Sequence, residues 1–168
     1  RIIFLAPKPI FLNRSNLVSE VIAPIHALSP PVVCRLMHAQ IATLPDGVYR
    51  ASDMLDNDGV VDEPLTLNLT MTVAGDQLTL DFSGTSAACA GPVNISRATA
   101  VAACYVALKH LFPQVPANAG VLDAVTMVMP EGLVITAQRP RPVGGYTETI
   151  LRMIDVIFSA AALADPQR

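Results

Sequence analysis

Strict alternation of apolar and polar residues from Leu65 to Val73 is the feature that most constrains the fold of this chain. Apolar side chains occupy every second position, and threonine or asparagine fills the positions between them. Because successive side chains of a β-strand point to opposite faces, this period predicts a strand with one buried face and one polar, Thr-rich face. The turn sequence Ala74-Gly75-Asp76 follows, and the alternation resumes from Leu78 to Phe82. Together the two segments predict an antiparallel hairpin.

Two further regions favour strands. Val48 to Leu55 follows the turn signal Leu44-Pro45-Asp46-Gly47 and is expected to form a strand. Val125–Met129 and Leu133–Thr136 flank the turn sequence Pro130-Glu131-Gly132, which predicts a second hairpin.

Apolar stripes predict two long helices in the second half of the chain. The first is expected to follow a cap at Asn94 or Ser96 and to run to about Phe112, ahead of Pro113. The second is expected to open at Thr147 and to end by Asp165-Pro166. The fold class is therefore α+β, with antiparallel hairpins packed against two long apolar helices.

Residues 1–34 lack a regular pattern and are expected to form an irregular N-terminal arm. Pro24, Pro30 and Pro31 interrupt their apolar run. A weak helical pattern at 35–43 opens an α+β domain at 35–168, a length typical of one domain. The sequence begins with Arg1 rather than Met, which fits either a fragment of a larger protein or a processed chain.

Composition excludes several classes of protein. The formal net charge is −3, which argues against binding to nucleic acid or to an anionic membrane surface. Apolar residues make up 52% of the chain, but no unbroken apolar stretch approaches the roughly 20 residues that a transmembrane helix needs. Charged residues make up only 15%, so we expect apolar surface to be covered by a partner or by further parts of the same polypeptide, and we expect the protein to be an oligomer.

The three cysteines, Cys34, Cys89 and Cys104, form no Cys-x-x-Cys pair. The first residues also make no convincing signal peptide. Both observations predict reduced, buried thiols in a cytoplasmic protein.

Clustered polar residues give no strong metal or nucleotide site. Five carboxylates lie close together, but the calcium-loop spacing fails because Gly59 at the sixth position would place Met54 at the first. We interpret this cluster as a solvated turn; its members are Asp53, Asp56, Asp58, Asp62 and Glu63. The histidines share no spacing suited to one metal; they are His26, His38 and His110. The sequence also contains no P-loop, so we expect this chain itself to bind neither ATP nor a metal.

Three loops are better candidates for a site; they are Gly91–Asn94, Pro116–Gly120 and Val143–Thr149. The amides of Asn94 and Asn118 can fix an amide or a carboxylate by hydrogen bonds. Two of the loops lead into helix N-termini, which offer free N–H groups to an anion or a polarised carbonyl. The alternative is that Asn94 and Thr147 are ordinary N-caps and that the glycines only turn the chain.

Together these segments resemble the hydantoinase B/oxoprolinase family. The resemblance covers about residues 35–168 and rests on residues 44–86 and on four shorter motifs in the family's order. Those motifs are GPVN at 91–94, PANAG at 116–120, MPEG at 129–132 and GGYTET at 144–149. The family's metal-type N-terminal motifs are not visible in residues 1–33, its Gly-rich far C-terminal part is absent, and Tyr146 stands where GGN-ET is more usual.

The resemblance implies that the chain is a fragment of the B-type subunit of an ATP-dependent cyclic amide hydrolase of the hydantoin or 5-oxoproline type. An ATP-binding A-type subunit would activate the small-molecule substrate, and the isolated chain would be inactive. A ketone carboxylase subunit of the acetone or acetophenone type, and a non-catalytic assembly remnant, are the alternatives. ATP would bind to the complete complex. The resemblance leaves open whether a divalent metal also binds there.

The resemblance also directs attention to particular residues. Asn94, Asn118, Gly144 and Gly145 are expected to bind substrate, and Glu148 is expected to be catalytic. Adjacent glycines let the backbone approach a ligand closely. Glu148 would lie in the first turn of the last helix, where the helix dipole alone also favours a carboxylate.

Overall fold

The alternating segment forms the second strand of a four-stranded sheet. The computed structural model describes residues 28–166. The strands are β1 (Gly47–Leu55), β2 (Leu65–Ala74), β3 (Gln77–Asp81) and β4 (Val125–Val128), and they follow one another across the sheet in that order. Both β1 and β3 pair antiparallel with β2, with Ala51 opposite Leu69 and Met71 opposite Leu80. The predicted hairpin and the predicted first strand are therefore confirmed.

Four helices accompany the sheet within the described residues: α1 (Pro30–Ile41), α2 (Arg97–Leu111), α3 (Gly120–Asp123) and α4 (Tyr146–Ala164). The inward positions of β2 are almost fully buried, and α4 packs on β1 and β2. The small residues Ala100, Ala103 and Ala107 are buried on α2, which packs against α4. The fold is the predicted mixture of helices and strands, and the sheet and the helices α1, α2 and α4 all contribute to one core.

Helix α1 begins earlier than the sequence pattern predicts. Proline is tolerated at the start of a helix because its missing N–H would have no partner there, and Pro30 occupies that position. Val33, Met37 and Ile41 are fully buried at helical spacing. Residues 30–34 are therefore helical rather than irregular, whereas the rest of the predicted arm, up to residue 27, lies outside the described residues.

The structure shows which residues cap the two long helices at their N-termini. Ser96 is the N-cap of α2, and its hydroxyl accepts a hydrogen bond from the Thr99 amide at 3.3 Å. Helix α4 begins at Tyr146 with Gly145 as its N-cap, so Thr147 is not a cap. Within residues 28–166, no helix combines the length and the apolar character that crossing a membrane requires.

The predicted second hairpin is wrong. Val125–Val128 is a strand, but it pairs parallel with β3, and residues 133–136 form no strand. The Thr136 hydroxyl accepts from the Leu133 amide at 3.1 Å and donates to the Pro130 carbonyl at 2.6 Å. These bonds close a compact turn, which prevents the segment from returning alongside β4.

Candidate functional site

Loops that are distant in sequence meet beside the N-terminus of α4. They are the turn after β1, the segment 87–94 before α2, and the segment 138–145 before α4. We call the residues that join them the loop junction: Asp58, Cys89, Gly91, Asn94 and Arg141.

Asn94 is the buried centre of the loop junction. Its side-chain oxygen accepts a hydrogen bond from the Cys89 amide at 2.9 Å. Its amide nitrogen donates to the carbonyls of Gly91 at 2.8 Å and Pro142 at 3.0 Å, and it also lies 3.1 Å from the Cys89 carbonyl. Since Asn94 is 0% exposed and fully hydrogen-bonded, it holds the two loops together.

Asp58 holds the same segment from the side of the sheet. One carboxylate oxygen accepts from the amides of Val60 at 2.8 Å and Val61 at 2.6 Å, and the other accepts from Gly91 at 2.7 Å. These backbone hydrogen bonds lower the pKa of Asp58 from 3.8 to about 2, because they stabilise the charged form. Asp58 is only 2% exposed, so the prediction that it lies in a solvated turn is wrong.

The contact between Asp58 and Gly91 leaves no room for a side chain at residue 91. A Cβ on Gly91 would lie 1.8 Å from the backbone oxygen of Asp58, far inside van der Waals contact. Glycine is therefore required here by close backbone approach, which a sequence pattern alone does not reveal.

Cys89 is half-buried next to this contact. Its thiol lies 3.6 Å from the Gly91 carbonyl. Burial raises the pKa of Cys89, and the negative charge of Asp58 raises it further. A thiol with a raised pKa is a poor nucleophile at neutral pH, so the structure gives no support for Cys89 as a nucleophile.

Two clefts adjoin the loop junction and share Ala87 and Ala88 in their walls. The Arg141 cleft has a volume of about 440 Å³, and its other walls are Glu131, Gly132, Gln138 and Arg141. The Asp58 cleft has a volume of about 330 Å³ and includes Asp58, Glu63 and Cys89. Both are of a size that small molecules occupy in proteins.

The loop before α4 brings part of the predicted site together. The Gly145 amide donates to the Pro92 carbonyl at 2.9 Å, which places the start of α4 against the loop that contains Asn94. Gly144 is exposed in the same turn, and Glu148 is exposed in the first turn of α4. Within residues 28–166, the Glu148 carboxylate has no hydrogen-bond or ion-pair partner, so it is free to meet a ligand.

Asn118 lies in a different environment. Its amide nitrogen donates to the Leu28 carbonyl at 3.0 Å, and its oxygen accepts from the Gly120 amide at 2.9 Å. These bonds fix the start of α3 to Leu28, two residues before α1, so Asn118 lies in another part of the fold than Asn94 does.

The other acidic residues and two of the histidines are dispersed, whereas His26 lies outside the described residues. Asp53 pairs with Arg152 at 3.3 Å, and Asp56, Asp62 and Glu63 are exposed. His38 bonds the Asp76 carbonyl at 2.7 Å, whereas His110 packs edge-on against Phe158. No group of three or more metal-ligating side chains occurs in the described part of the chain.

Two features of the loop junction were not predicted from the sequence. One is the burial of Asp58, and the other is the presence of Arg141. Asp58 bonds the amides two and three residues ahead of it, which is the Asx-turn pattern of an aspartate before glycine, and that local signal could have separated it from its neighbours. Arg141 lies between prolines and carries no comparable signal.

Comparisons with known proteins now identify the fold. A solved structure of the ATP-dependent caprolactamase from Pseudomonas jessenii matches with a TM-score of 0.71 at 22% identity, over 92% of this chain and 28% of that chain. A nucleotide-free structure of acetone carboxylase matches with a TM-score of 0.61 at 19% identity, over 70% of this chain and 17% of that chain.

Sequence relatives agree with these structures. An uncharacterized protein of Methanocaldococcus jannaschii is 30% identical over 109 residues, which are 64% of this chain and 19% of that protein. A protein of Pseudomonas sp. (strain NS671), described as the putative B-type subunit of a D-/L-hydantoinase, is 28% identical over 146 residues, covering 80% of this chain and 25% of that protein. This chain therefore spans about a quarter or less of the length of these two relatives.

The family model described as hydantoinase B/oxoprolinase matches residues 33–168, from α1 to the end of α4 and beyond. That range contains every residue of the loop junction and all five predicted site residues. The chain belongs to the hydantoinase B/oxoprolinase family.

Proposed function

We propose that this chain is part of the B-type subunit of an ATP-dependent cyclic amide hydrolase of the hydantoin or 5-oxoproline type. The observation that carries the proposal is the family match over residues 33–168. The relative described as a B-type hydantoinase subunit supports a hydrolase in particular. We further propose that ATP is bound by an A-type subunit, which activates the substrate, and we expect a cytoplasmic, oligomeric complex.

The proposed reaction opens the ring in balanced steps. The γ-phosphoryl group of ATP passes to the amide carbonyl oxygen, which releases ADP and gives a better electrophile. A water molecule then adds to that carbon, and the C–N bond breaks to give a ring-opened acyl phosphate. A second water molecule releases inorganic phosphate and leaves a carboxylate.

In this proposal Glu148 is the catalytic residue that takes the proton from the attacking water. Its exposed carboxylate, at the start of α4, supports the role because a general base must be able to reach its proton donor. Gly144 and Gly145 would let the activated carbonyl approach the helix N-terminus. Asn94 would act as a positioning residue, since its polar atoms are already engaged with the backbone.

The test is an assay of the complete protein that contains this chain, together with an A-type subunit. ATP-dependent ring opening is measured with hydantoin, 5-oxoproline and caprolactam, and ADP release is followed in parallel. Release of ADP coupled to ring-opened product supports the proposal. Absence of ring opening with an active ATP-binding partner contradicts it.

A ketone carboxylase is the second candidate, because the fold also matches acetone carboxylase. The same complex is assayed for incorporation of labelled bicarbonate into acetone and acetophenone. Incorporation without ring opening of any cyclic amide would favour the carboxylase. Failure of both reactions would favour a non-catalytic assembly role.

A further inference from the structure

The carboxylate in the wall of the Arg141 cleft is already paired with a residue outside the cleft. Glu131 is the carboxylate in its wall, and both of its oxygens are engaged. One accepts from Arg97 at 2.5 and 3.2 Å, and the other accepts from the Gln138 amide at 2.8 Å. The hydrogen bonds from Arg97 and Gln138 also lower the pKa of Glu131, so it stays ionised and paired at neutral pH.

Because Glu131 pairs with Arg97, it does not form an ion pair with Arg141, the other charged residue in the wall of the cleft. One of the terminal N–H groups of Arg141 donates to the Cys89 carbonyl at 3.2 Å, which fixes the side chain to the loop junction. Within residues 28–166, no carboxylate lies within ion-pair distance of Arg141. Arg141 is exposed, and within the described residues the other donors of its planar fork have no partner, so the fork can bind two oxygens of one ligand.

The other walls of the cleft suit a small ligand. Ala87, Ala88 and Gly132 have small side chains or none, so a ligand can come close to the backbone. The Ala88 amide donates to the Gly132 carbonyl at 2.8 Å, which holds two of these walls together. The volume of about 440 Å³ is large enough for a cyclic amide with an anionic substituent.

We propose that the Arg141 cleft binds an oxyanion of the reacting small molecule, and that Arg141 is the residue that recognises it. This inference rests on the proposed function. Two sources share this chemistry: a carboxylate that the substrate itself carries, as in 5-oxoproline, and the phosphoryl group added during activation.

Kinetics of the complete complex separate these two sources. Arg141→Ala is compared with wild type on 5-oxoproline, which is anionic, and on caprolactam, which is neutral. Loss of one charge-assisted pair is expected to lower kcat/KM by roughly 10- to 100-fold. A loss confined to 5-oxoproline identifies the substrate carboxylate, whereas an equal loss with both identifies the phosphoryl group.

Two control variants show whether charge and position matter. Arg139→Ala removes an exposed arginine of the same loop that does not line the cleft, and it should leave kcat/KM within about twofold of wild type. Arg141→Lys keeps the charge without the planar fork and should recover part of the loss. Unchanged kinetics in Arg141→Ala, or an equal effect of Arg139→Ala, would overturn the inference.

A binding measurement keeps the inference testable if the complex opens no ring. The complete protein is titrated with inorganic phosphate and with acetate by calorimetry, alongside Arg141→Ala. Saturable binding of either anion that is lost in Arg141→Ala supports the cleft as an oxyanion site. Binding that is equal in both proteins, or absent from both, overturns it, while the absence of ring opening counts only against the proposed function.

Discussion

The Asp58 carboxylate and the Gly91 amide are joined by a hydrogen bond of 2.7 Å, so the turn after β1 is fixed to the loop before α2. A Cβ on Gly91 would collide with the backbone of Asp58, which means that the two residues also touch through their main chains. The shape of the loop junction therefore depends on a carboxylate and a glycine that are far apart in sequence.

The first prediction concerns pH. Because the pKa of Asp58 falls from 3.8 to about 2 on folding, its ionised form stabilises the folded chain above about pH 4. This stabilisation is lost as the pH falls through 4 towards 2. We expect Asp58→Asn to be less stable than wild type at pH 7 and to lose less stability between pH 4 and pH 2, as measured by denaturant unfolding.

The exposed Asp56 in the same turn provides the control for this experiment. Asp56→Asn should follow the wild-type pH dependence. If Asp58→Asn followed it as well, the backbone hydrogen bonds would not be the source of the stabilisation.

The second prediction concerns the glycines. Gly91→Ala must displace the backbone of Asp58, and overpacking of this kind typically lowers the free energy of unfolding by about 1–3 kcal/mol. A Cβ on Gly144 would come no closer than 4.0 Å to Pro92, so Gly144→Ala should change stability by less than about 0.5 kcal/mol. Thermal unfolding of both variants checks the contrast, and equal melting temperatures would contradict it.

Gly144→Ala serves a second purpose in the complete complex. If the backbone at Gly144 meets the substrate, this variant should raise KM while its melting temperature stays the same. Unchanged kinetics would remove Gly144 from the proposed substrate-binding residues.

The third prediction compares the two asparagines. Asn94→Ala leaves the Cys89 amide and several carbonyls of the loop junction without their partner. Because a buried polar group without a partner costs about 1–3 kcal/mol, we expect unfolding to become easier by about 2–5 kcal/mol. Asn118 is half-buried with two such bonds, so Asn118→Ala should cost about 1–2 kcal/mol.

Hydrogen exchange locates the two effects. Asn94→Ala should increase exchange in residues 87–94, whereas Asn118→Ala should increase it around residues 118–123. The same exchange pattern in both variants would show that the two residues support a common site after all.

The fourth prediction concerns Glu148 in the complete complex. If its carboxylate takes a proton during ring opening, Glu148→Gln should lower kcat by about 10²-fold or more, with an unchanged melting temperature. If it only complements the helix dipole, the variant should lose about 0.3–1 kcal/mol of stability and keep near-normal turnover. Turnover within a few-fold of wild type would remove Glu148 from the catalytic role.

The sequence predicted those elements whose signal is local. The residues from Leu65 to Val73 alternate apolar and polar side chains, so the period alone identifies β2. The partner of β4 could not be predicted in this way. Val125–Val128 pairs with β3, and the whole of α2 separates these two strands in the sequence. The hydrogen bonds of Thr136, and not the apolar run, decide the path of the next segment.

The candidate site follows the same rule. Gly145 and Asn94 were identified from their places at helix starts, and the structure joins their loops. Asp58 could not be distinguished from the neighbouring carboxylates in the sequence, because its partner Gly91 comes close to it only in the folded structure. Arg141 could not be identified as a candidate binding residue from the sequence, because this depends on the ion pair between Glu131 and Arg97. That ion pair forms only in the folded structure.

The parallel pairing of β3 with β4 has a consequence for how the chain is made. Leu78 meets its partner Val125 only after α2 and α3 have been synthesised and folded back. Until β4 leaves the ribosome, one edge of β3 presents unpaired N–H and C=O groups, which are prone to recruit strands from other chains. Aggregation during production should therefore increase when docking of α2 is slowed, whereas a slower β2–β3 turn should matter less.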